Sequence, residues 1–254
     1  MSSTSQREVP GTRPEGVRDE KEAAAHVREM FGHIAPRYDL LNHLLSLDID
    51  KVWRRRVARR YSSVLRDSSA RVLDLCCGTG DLAFAFRKHA PQGAKIVGSD
   101  FVPEMLIRAR AKAAASGAKA EFVEADALSL PFGDGTFELV SCAFGFRNLA
   151  NYERGLHEIC RVLKPGGSVA ILEFAEPRGK LFGALYRFYF RNVLPRLGGW
   201  ISGNSSAYTY LPSSVSKFPS PEKLQSQFER AGLVDVGFER WTGGIVTLHT
   251  GRKA

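Results

Sequence analysis

No run of about 18 uninterrupted apolar residues occurs in this 254-residue chain, so no segment reads as a membrane-spanning helix. The opening stretch, MSSTSQREVPGTRPEGVRDEKE, has no apolar core and does not read as a secretory leader; its polar, Pro- and Gly-containing character predicts a flexible tail over residues 1–21. Cysteine is scarce. Cys76, Cys77, Cys142 and Cys160 contain no C-x-x-C pair and no regular framework, which excludes a disulfide scaffold and fits reduced thiols buried as small hydrophobes inside a cell. His26, His33, His43, His89, His157 and His249 are scattered without metal-ligand spacing, so no metal is expected, and only His33 is placed to act as a proton carrier. Acid is in deficit, with 27 Asp and Glu against 36 Lys and Arg and a formal charge of +9. That balance suits an anionic partner, either nucleic acid or an anionic membrane surface, with a merely solvated basic surface as the alternative. No internal repeat appears.

Apolar residues make up 44% of the chain, enough for one sizeable core, and their period changes along the sequence. From Ala23 to Leu65 they recur at three-and-four spacing, with Pro36 opening a new segment and Asp48 and Asp50 preceding the next. Short buried-strand runs then alternate with helical ones. RVLDLCC, AKIVGSD, AEFVEAD and TFELVSCAFG read as four strands, and KPGG turns the chain into a fifth, SVAILEF. Helices fall from about Asp81, over PEMLIRARAKAAAS closed by Gly117, and over NYERGLHEICRVL. Two closing strands, LVDVGFERW and GGIVTLHTGRK, form an antiparallel hairpin about Thr242–Gly244. The predicted fold is α/β: a doubly wound, mainly parallel seven-stranded sheet with an N-terminal helical lid (22–66) and a C-terminal antiparallel strand pair. Residues 22–254 form a single domain, with an aromatic and basic insertion at 175–219.

In such sheets ligands sit beyond the strand carboxyl ends. VLDLCCGTGDLAF, residues 72–84, places Asp74 at the end of a strand and then a G-x-G-x-x-A loop through Gly78, Gly80 and Ala83. Asp100 follows Gly80 by twenty residues, the spacing of a carboxylate that takes ribose hydroxyls. Asp126 with Ala127 closes the third strand, placed to accept from an adenine amino group. Asp74 and Asp81 bracket the loop, no Lys or Arg lies between Val72 and Phe86, and Cys76 stands where many phosphate loops have glycine. A dianionic pyrophosphate is disfavoured there, whereas a ligand bearing an ammonium and a sulfonium is favoured. S-adenosylmethionine is therefore preferred over a dinucleotide, and a purely structural tight turn is the third reading.

VLDLCCGTGDLA, GSDFVPEML, FVEADALSLPFGDGTFELVSCAFGFRN and LHEICRVLKPGGSVAILEF resemble the class I S-adenosylmethionine-dependent methyltransferases. FGHIAPRYDLLNHLLSLDIDKVWRR, FGFRN, YTYLPSSVSKFPSPEKL and GGIVTLHTGRK narrow the resemblance to the demethylmenaquinone methyltransferase / ubiquinone C-methyltransferase family, over roughly residues 25 to 252. The resemblance implies that Thr79 and the glycines contact the methionine portion of the methyl donor, that Asp100 binds ribose, and that Asp126 with Ala127 meets adenine. Ala143 stands where some members carry a serine, so one hydroxyl contact to the donor is missing.

The activity implied is methylation of a ring carbon of a prenylated quinol, demethylmenaquinol to menaquinol, with a polyprenyl methoxybenzoquinol as the close alternative and RNA methylation as a distant one. The ring carbon becomes nucleophilic once a neighbouring hydroxyl, of ordinary pKa about 10, loses its proton. Arg147 and Asn148, at the rim after the fourth strand, are the candidates to stabilise the quinolate and orient the ring oxygen, and Tyr38 in the lid to hydrogen-bond substrate or donor. A carboxylate-pairing arginine and a core-packing tyrosine are the alternatives for Arg147 and Tyr38. The stretch 180–200, with Lys180, Arg187 and Arg191 on one helical face, suggests peripheral contact with an anionic membrane, or else a lid helix with solvated arginines. RRRVARR (54–60) adds to a basic surface or is a solvated helix face. A cytoplasmic protein on the inner face of the cell membrane, with no nucleic-acid partner and a homodimer left open, is the expectation.

Overall fold

The computed structural model describes residues 11–14, 16–39, 46, 48–177 and 206–254. The 180–200 stretch lies outside them. Seven strands, β1 (Arg71–Leu75), β2 (Lys95–Asp100), β3 (Ala120–Glu124), β4 (Phe137–Ala143), β5 (Leu163–Phe174), β6 (Leu233–Trp241) and β7 (Val246–Lys253), form one sheet in the order β3-β2-β1-β4-β5-β7-β6. Neighbours from β3 to β5 pair in parallel; β7 runs antiparallel to both β5 and β6. The expected hairpin is present, turned by Thr242–Gly244, but its second strand inserts between β5 and β6, a placement that chain order does not reveal.

Helices cover both faces: α1 (Glu20–Ile34), α2 (Ile49–Arg60), α3 (Ser62–Arg66), α4 (Asp81–His89), α5 (Pro103–Ser116), α6 (Tyr152–Val162), α7 (Ser206–Lys217) and α8 (Pro221–Arg230). The period-two alternation of the strands sorts the core into two layers. Val72, Leu139 and Ala170 pack with Trp53 and Val57 of α2, Phe86 of α4 and Leu106 of α5 on one face. Leu73, Val140 and Ile171 pack with Leu156 and Ile159 of α6 and Leu224 and Phe228 of α8 on the other. Each of these strands is buried on both sides, which is why RVLDL and ELVSCA read as near-continuous apolar runs.

Local chemistry sets the ends. Asp19 caps α1 by accepting from Glu22 N at 2.8 Å, Asn151 caps α6, and Gly117 closes α5 in the left-handed conformation. The KPGG turn lies inside the long β5, where the pairing with β4 jumps from Leu163 opposite Phe137 to Ser168 opposite Leu139, with Gly166 at φ 75°.

Two boundaries differ from the sequence reading. Thr12, assigned to the tail, is buried; its N–H donates to Leu149 O at 2.8 Å, and the Arg13 guanidinium donates to Ala150 O at 3.0 Å. A Cβ on Gly11 would sit 2.2 Å from the Ala150 carbonyl, so this close backbone approach is open only to glycine. The helical segment expected as a lid also divides: α1 and the short 3-10 turn Ala35–Arg37 cover the strand ends, whereas α2 and α3 belong to the core.

Candidate active site

The chain reverses direction across the sheet between β1 and β4, and the loops leaving these two strands meet back to back. A Cβ on Gly145 would lie 2.4 Å from Cys76 Cβ, so glycine there lets the loops touch. Cys76 (φ 52°) and Phe144 (φ 64°) are both left-handed non-glycine residues, strain gathered at the carboxyl end of the strands where a ligand is expected. From this junction a cleft runs along the ends of β1 to β4. Asp100, Phe101, Asp126 and Ala127 line one part, Asn148 and Leu149 another, and Ala24, Phe31 and Tyr38 come from the covering N-terminal segment.

The acids carry different burdens. Asp100 accepts from Gly78 N at 2.8 Å and Val102 N at 3.0 Å, fixing the glycine loop against β2; burial pushes its pKa up to about 6, opposed by those hydrogen bonds. Asp74 is more deeply enclosed, accepts from Ala83 N at 3.0 Å, and is pushed up to about 8 by burial. Asp126 is exposed and bonds Leu128 N at 2.9 Å. Gly78 and Gly80 take φ of 55° and 88°; an added Cβ at Gly80 would come within 2.9 Å of the Phe84 ring.

The charge at the loop needs one correction. Asp81 is not an uncompensated acid: Lys112, from α5, bonds it at 2.6 Å and also reaches Asp39 at 3.0 Å and Thr79 Oγ1 at 3.2 Å. Thr79, buried, donates its hydroxyl to Asp39. Reading the stretch between Val72 and Phe86 alone missed a cation brought in from another helix. Among the described residues no cation bonds Asp74 or Asp100, although Arg54, at the same inner end of the cleft, partly opposes the rise at Asp74. An anion placed against them would push their pKa values higher still, whereas a cation would favour their ionised forms, so the donor set fits a sulfonium-bearing nucleoside better than a pyrophosphate.

Arg147, expected at the rim, is not in the cleft lining: it is buried and paired with Glu173 at 3.0 Å, its guanidinium also bonds Phe144 O, and its backbone N–H donates to Glu173 at 3.0 Å. The carboxylate-pairing alternative is therefore realised, and the pair is neutral as a unit. Arg147 Nε is buried with no partner, an unspent donor. Asn148 lines the cleft, and its Oδ1 accepts from Tyr210 OH at 3.0 Å; Tyr210 in turn meets Thr12 Oγ1 at 3.0 Å. Tyr38 also faces the inner end of the cleft with Thr79, Asp74 and Ala143. His33 is not in the lining, and His249 is a core residue held near Pro221 O, its pKa pushed down to about 4 by burial. Sequence reasoning missed Glu173, Lys112, Thr12 and Tyr210. Tyr210 and Glu173 left a signal, as members of the YTYLPSS and SVAILEF motifs.

A central β1–β4 reversal, a glycine loop held by a β2 carboxylate and the terminal β6–β7 pair define a class I S-adenosylmethionine-dependent methyltransferase fold. A solved S-adenosylmethionine-dependent methyltransferase from Aquifex aeolicus superimposes with TM-score 0.58 at 19% identity, covering 79% of this chain and 89% of that one. The [4+2]-cyclase SpnF gives TM-score 0.66 at 15% identity, covering 93% and 97%, so shared architecture alone does not dictate the reaction. The chain belongs to the ubiE/COQ5 methyltransferase family, whose model matches residues 17–253. The demethylmenaquinone methyltransferase of Deinococcus radiodurans is 51% identical over 93% of this chain and 96% of its own length, and that of Thermus thermophilus 53% identical over 88% and 100%. A ubiquinone/menaquinone biosynthesis C-methyltransferase of a Geobacter species is 43% identical over 91% and 98%. The methyl donor is S-adenosylmethionine, as membership of this methyltransferase family implies.

Proposed function

We propose that this chain methylates a ring carbon of demethylmenaquinol, giving menaquinol. The carrying observation is one continuous cleft whose lining passes from Asp100 and Asp126 to Asn148 and Tyr38, so that donor and acceptor positions adjoin. S-adenosylmethionine, when bound, supplies a methyl group on positively charged sulfur. Asp100 is the residue that would hold its ribose, Asp126 and Ala127 its adenine, and Gly78, Thr79, Gly80 and Asp74 the methionine end; Ala143 contributes a wall without a hydroxyl.

The rest of the chemistry belongs to the acceptor and the side chains beside it. A quinol ring carbon is nucleophilic when its neighbouring oxygen is anionic, and hydrogen-bond donors aimed at that oxygen lower the barrier by favouring the anion. The Tyr210 hydroxyl occupies Asn148 Oδ1, which turns the Asn148 amide N–H₂ outward as a donor. Tyr38 lines the same cleft, whereas Arg147 stays buried and bonds Glu173 and Phe144 O, fixing the loop that presents Asn148. Arg147 acts here as a fixed dipole source tied to Glu173, since a guanidinium does not give up its proton. As the new carbon–carbon bond forms the carbon–sulfur bond breaks, leaving a neutral thioether, and the ring carbon then sheds its own proton to solvent, which restores aromaticity.

Benzoquinol methylation is the second reading, favoured by the dual name borne by the Geobacter relative. Family membership decides against the RNA alternative that the basic charge raised. The purified chain, given a labelled methyl donor and both reduced quinols in competition, is expected to label the naphthoquinol preferentially. Preferential labelling of the benzoquinol overturns that choice.

A further inference from the structure

Outside the cleft, α2 and α4 lie side by side, and between them is a groove of about 390 Å³ walled by Lys51, Arg54, Arg55, Arg59, Lys88 and His89. Asp81 is its one carboxylate among the described residues. Residues 51, 55 and 59 recur every fourth position on α2, as 81, 85 and 89 do on α4, so each helix turns a single face into the groove. Two of the cations are spent, Arg54 on Asp50 and Lys51 on Asp48 at 2.7 Å. Arg55, Arg59 and Lys88 are exposed and have no hydrogen-bond or ion-pair partner among the described residues. Unpaired like charges at i and i+4 repel. An anion seated between the helices would remove that repulsion.

A second feature says which anion. Ile49 and Val52 are 38% and 56% exposed, and they are two of the four large apolar side chains exposed among the described residues. Both belong to α2, and Val52 shares a helical face with Arg55 and Arg59 at three and seven residues' distance. Exposed aliphatic groups beside unpaired guanidinium groups match the boundary of a bilayer, where phosphodiesters lie above acyl chains. Single-stranded nucleic acid would call instead for free aromatic faces. The groove's one phenyl ring among the described residues, Phe84, is half-buried against Phe122 with the Lys112 ammonium over it.

The groove also joins the active site. Arg54 and Asp81 line both the groove and the inner end of the cleft beside Tyr38 and Thr79. We propose that the α2–α4 groove docks this chain on the phosphate headgroups of an anionic membrane, with Val52 and Ile49 entering the interface. The choice of a bilayer rests on the prenylated-quinol reading, because such a substrate resides there.

The test is co-sedimentation of the full chain with phosphatidylglycerol-containing vesicles and with neutral phosphatidylcholine vesicles. A basic residue near an anionic surface contributes about fivefold in partitioning, so Arg55→Gln/Arg59→Gln/Lys88→Gln is expected to lose roughly a hundredfold. Val52→Ser is expected to weaken binding with the charge intact. Turnover of a short-chain, water-soluble demethylmenaquinol in the triple variant stays at the wild-type level, which shows that it is folded. Undiminished vesicle binding by the triple variant, equal binding to neutral vesicles, displacement by inorganic phosphate at matched ionic strength, or tighter binding to an RNA oligonucleotide each overturns the proposal. Vesicle binding is read without quinol. A chain that docks yet transfers no methyl group overturns the quinol reading alone, and one that methylates quinol in detergent yet ignores anionic vesicles overturns the docking alone.

Discussion

Replacing Asp74 by asparagine isolates the cost of burying an acid beneath the glycine loop. The Asp74 carboxyl is enclosed in β1 with a single hydrogen bond, from Ala83 N at 3.0 Å, and burial pushes its pKa up from 3.8 to about 8. A folded-state pKa above the unfolded one means that the native state binds the extra proton between those two values. The native state is therefore favoured at low pH and loses stability as pH rises from about 4 to about 8. Integrated from about pH 5 to about pH 8, that difference corresponds to ~3 kcal/mol of lost stability. Asp100, pushed up to about 6, adds ~1 kcal/mol of the same sign over that window. Asp74→Asn keeps an oxygen to accept from Ala83 N and removes the titration. Urea unfolding of the ligand-free chain at the two pH values reads the effect directly. Buried His249, with its pKa pushed down to about 4, works the other way and adds ~2 kcal/mol over the same window, offsetting Asp100. The wild type is therefore expected to show a lower midpoint at the higher pH with unchanged m, and the variant to lose that fall. A wild-type midpoint that does not fall, or a variant with the same slope as wild type, refutes the electrostatic account of this loop.

Arg147→Ala leaves Glu173 buried without its cation and is expected to destabilise the fold by about 3–5 kcal/mol, whereas Arg147→Met/Glu173→Leu recovers most of that stability without recovering methyl transfer. Thermal unfolding with a turnover assay separates the two effects. Gly80→Ala forces a Cβ at φ 88° against Phe84 and Phe122 and is expected to cost about 1–3 kcal/mol and to weaken S-adenosylmethionine binding, measured by calorimetry. Tyr210→Phe frees the Asn148 amide from its partner; a fall in kcat of about tenfold, with donor affinity unchanged, is the outcome expected of one lost orienting hydrogen bond.

How far the sequence carried this account depends on the range of the interaction. β1 to β5 are legible because each is short, apolar and bounded by Gly or acid, and the Asp100–Gly78 bond follows from a loop spacing that any such strand–loop–helix unit repeats. The β6–β7 turn is local and was equally plain, but the insertion of β7 beside β5 is a long-range choice. What remained hidden is the set of partners brought from elsewhere. Lys112 reaches Asp81 from 31 residues away, Glu173 meets Arg147 across 26, and Thr12 meets Tyr210 across 198. No local pattern marks such pairs. At the glycine loop no cation bonds Asp74 or Asp100 among the described residues, with Arg54 only partly opposing the charge at Asp74, whereas at Asp81 another helix supplies Lys112.

The most direct test of quinol C-methylation is carbon NMR of the product formed from demethylmenaquinol and S-adenosylmethionine carrying a ¹³C-methyl group. The account predicts a single labelled methyl bonded to the ring carbon beside a hydroxyl-bearing carbon. Label found as a methoxy group, or donor bound tightly with no label reaching either quinol, contradicts it.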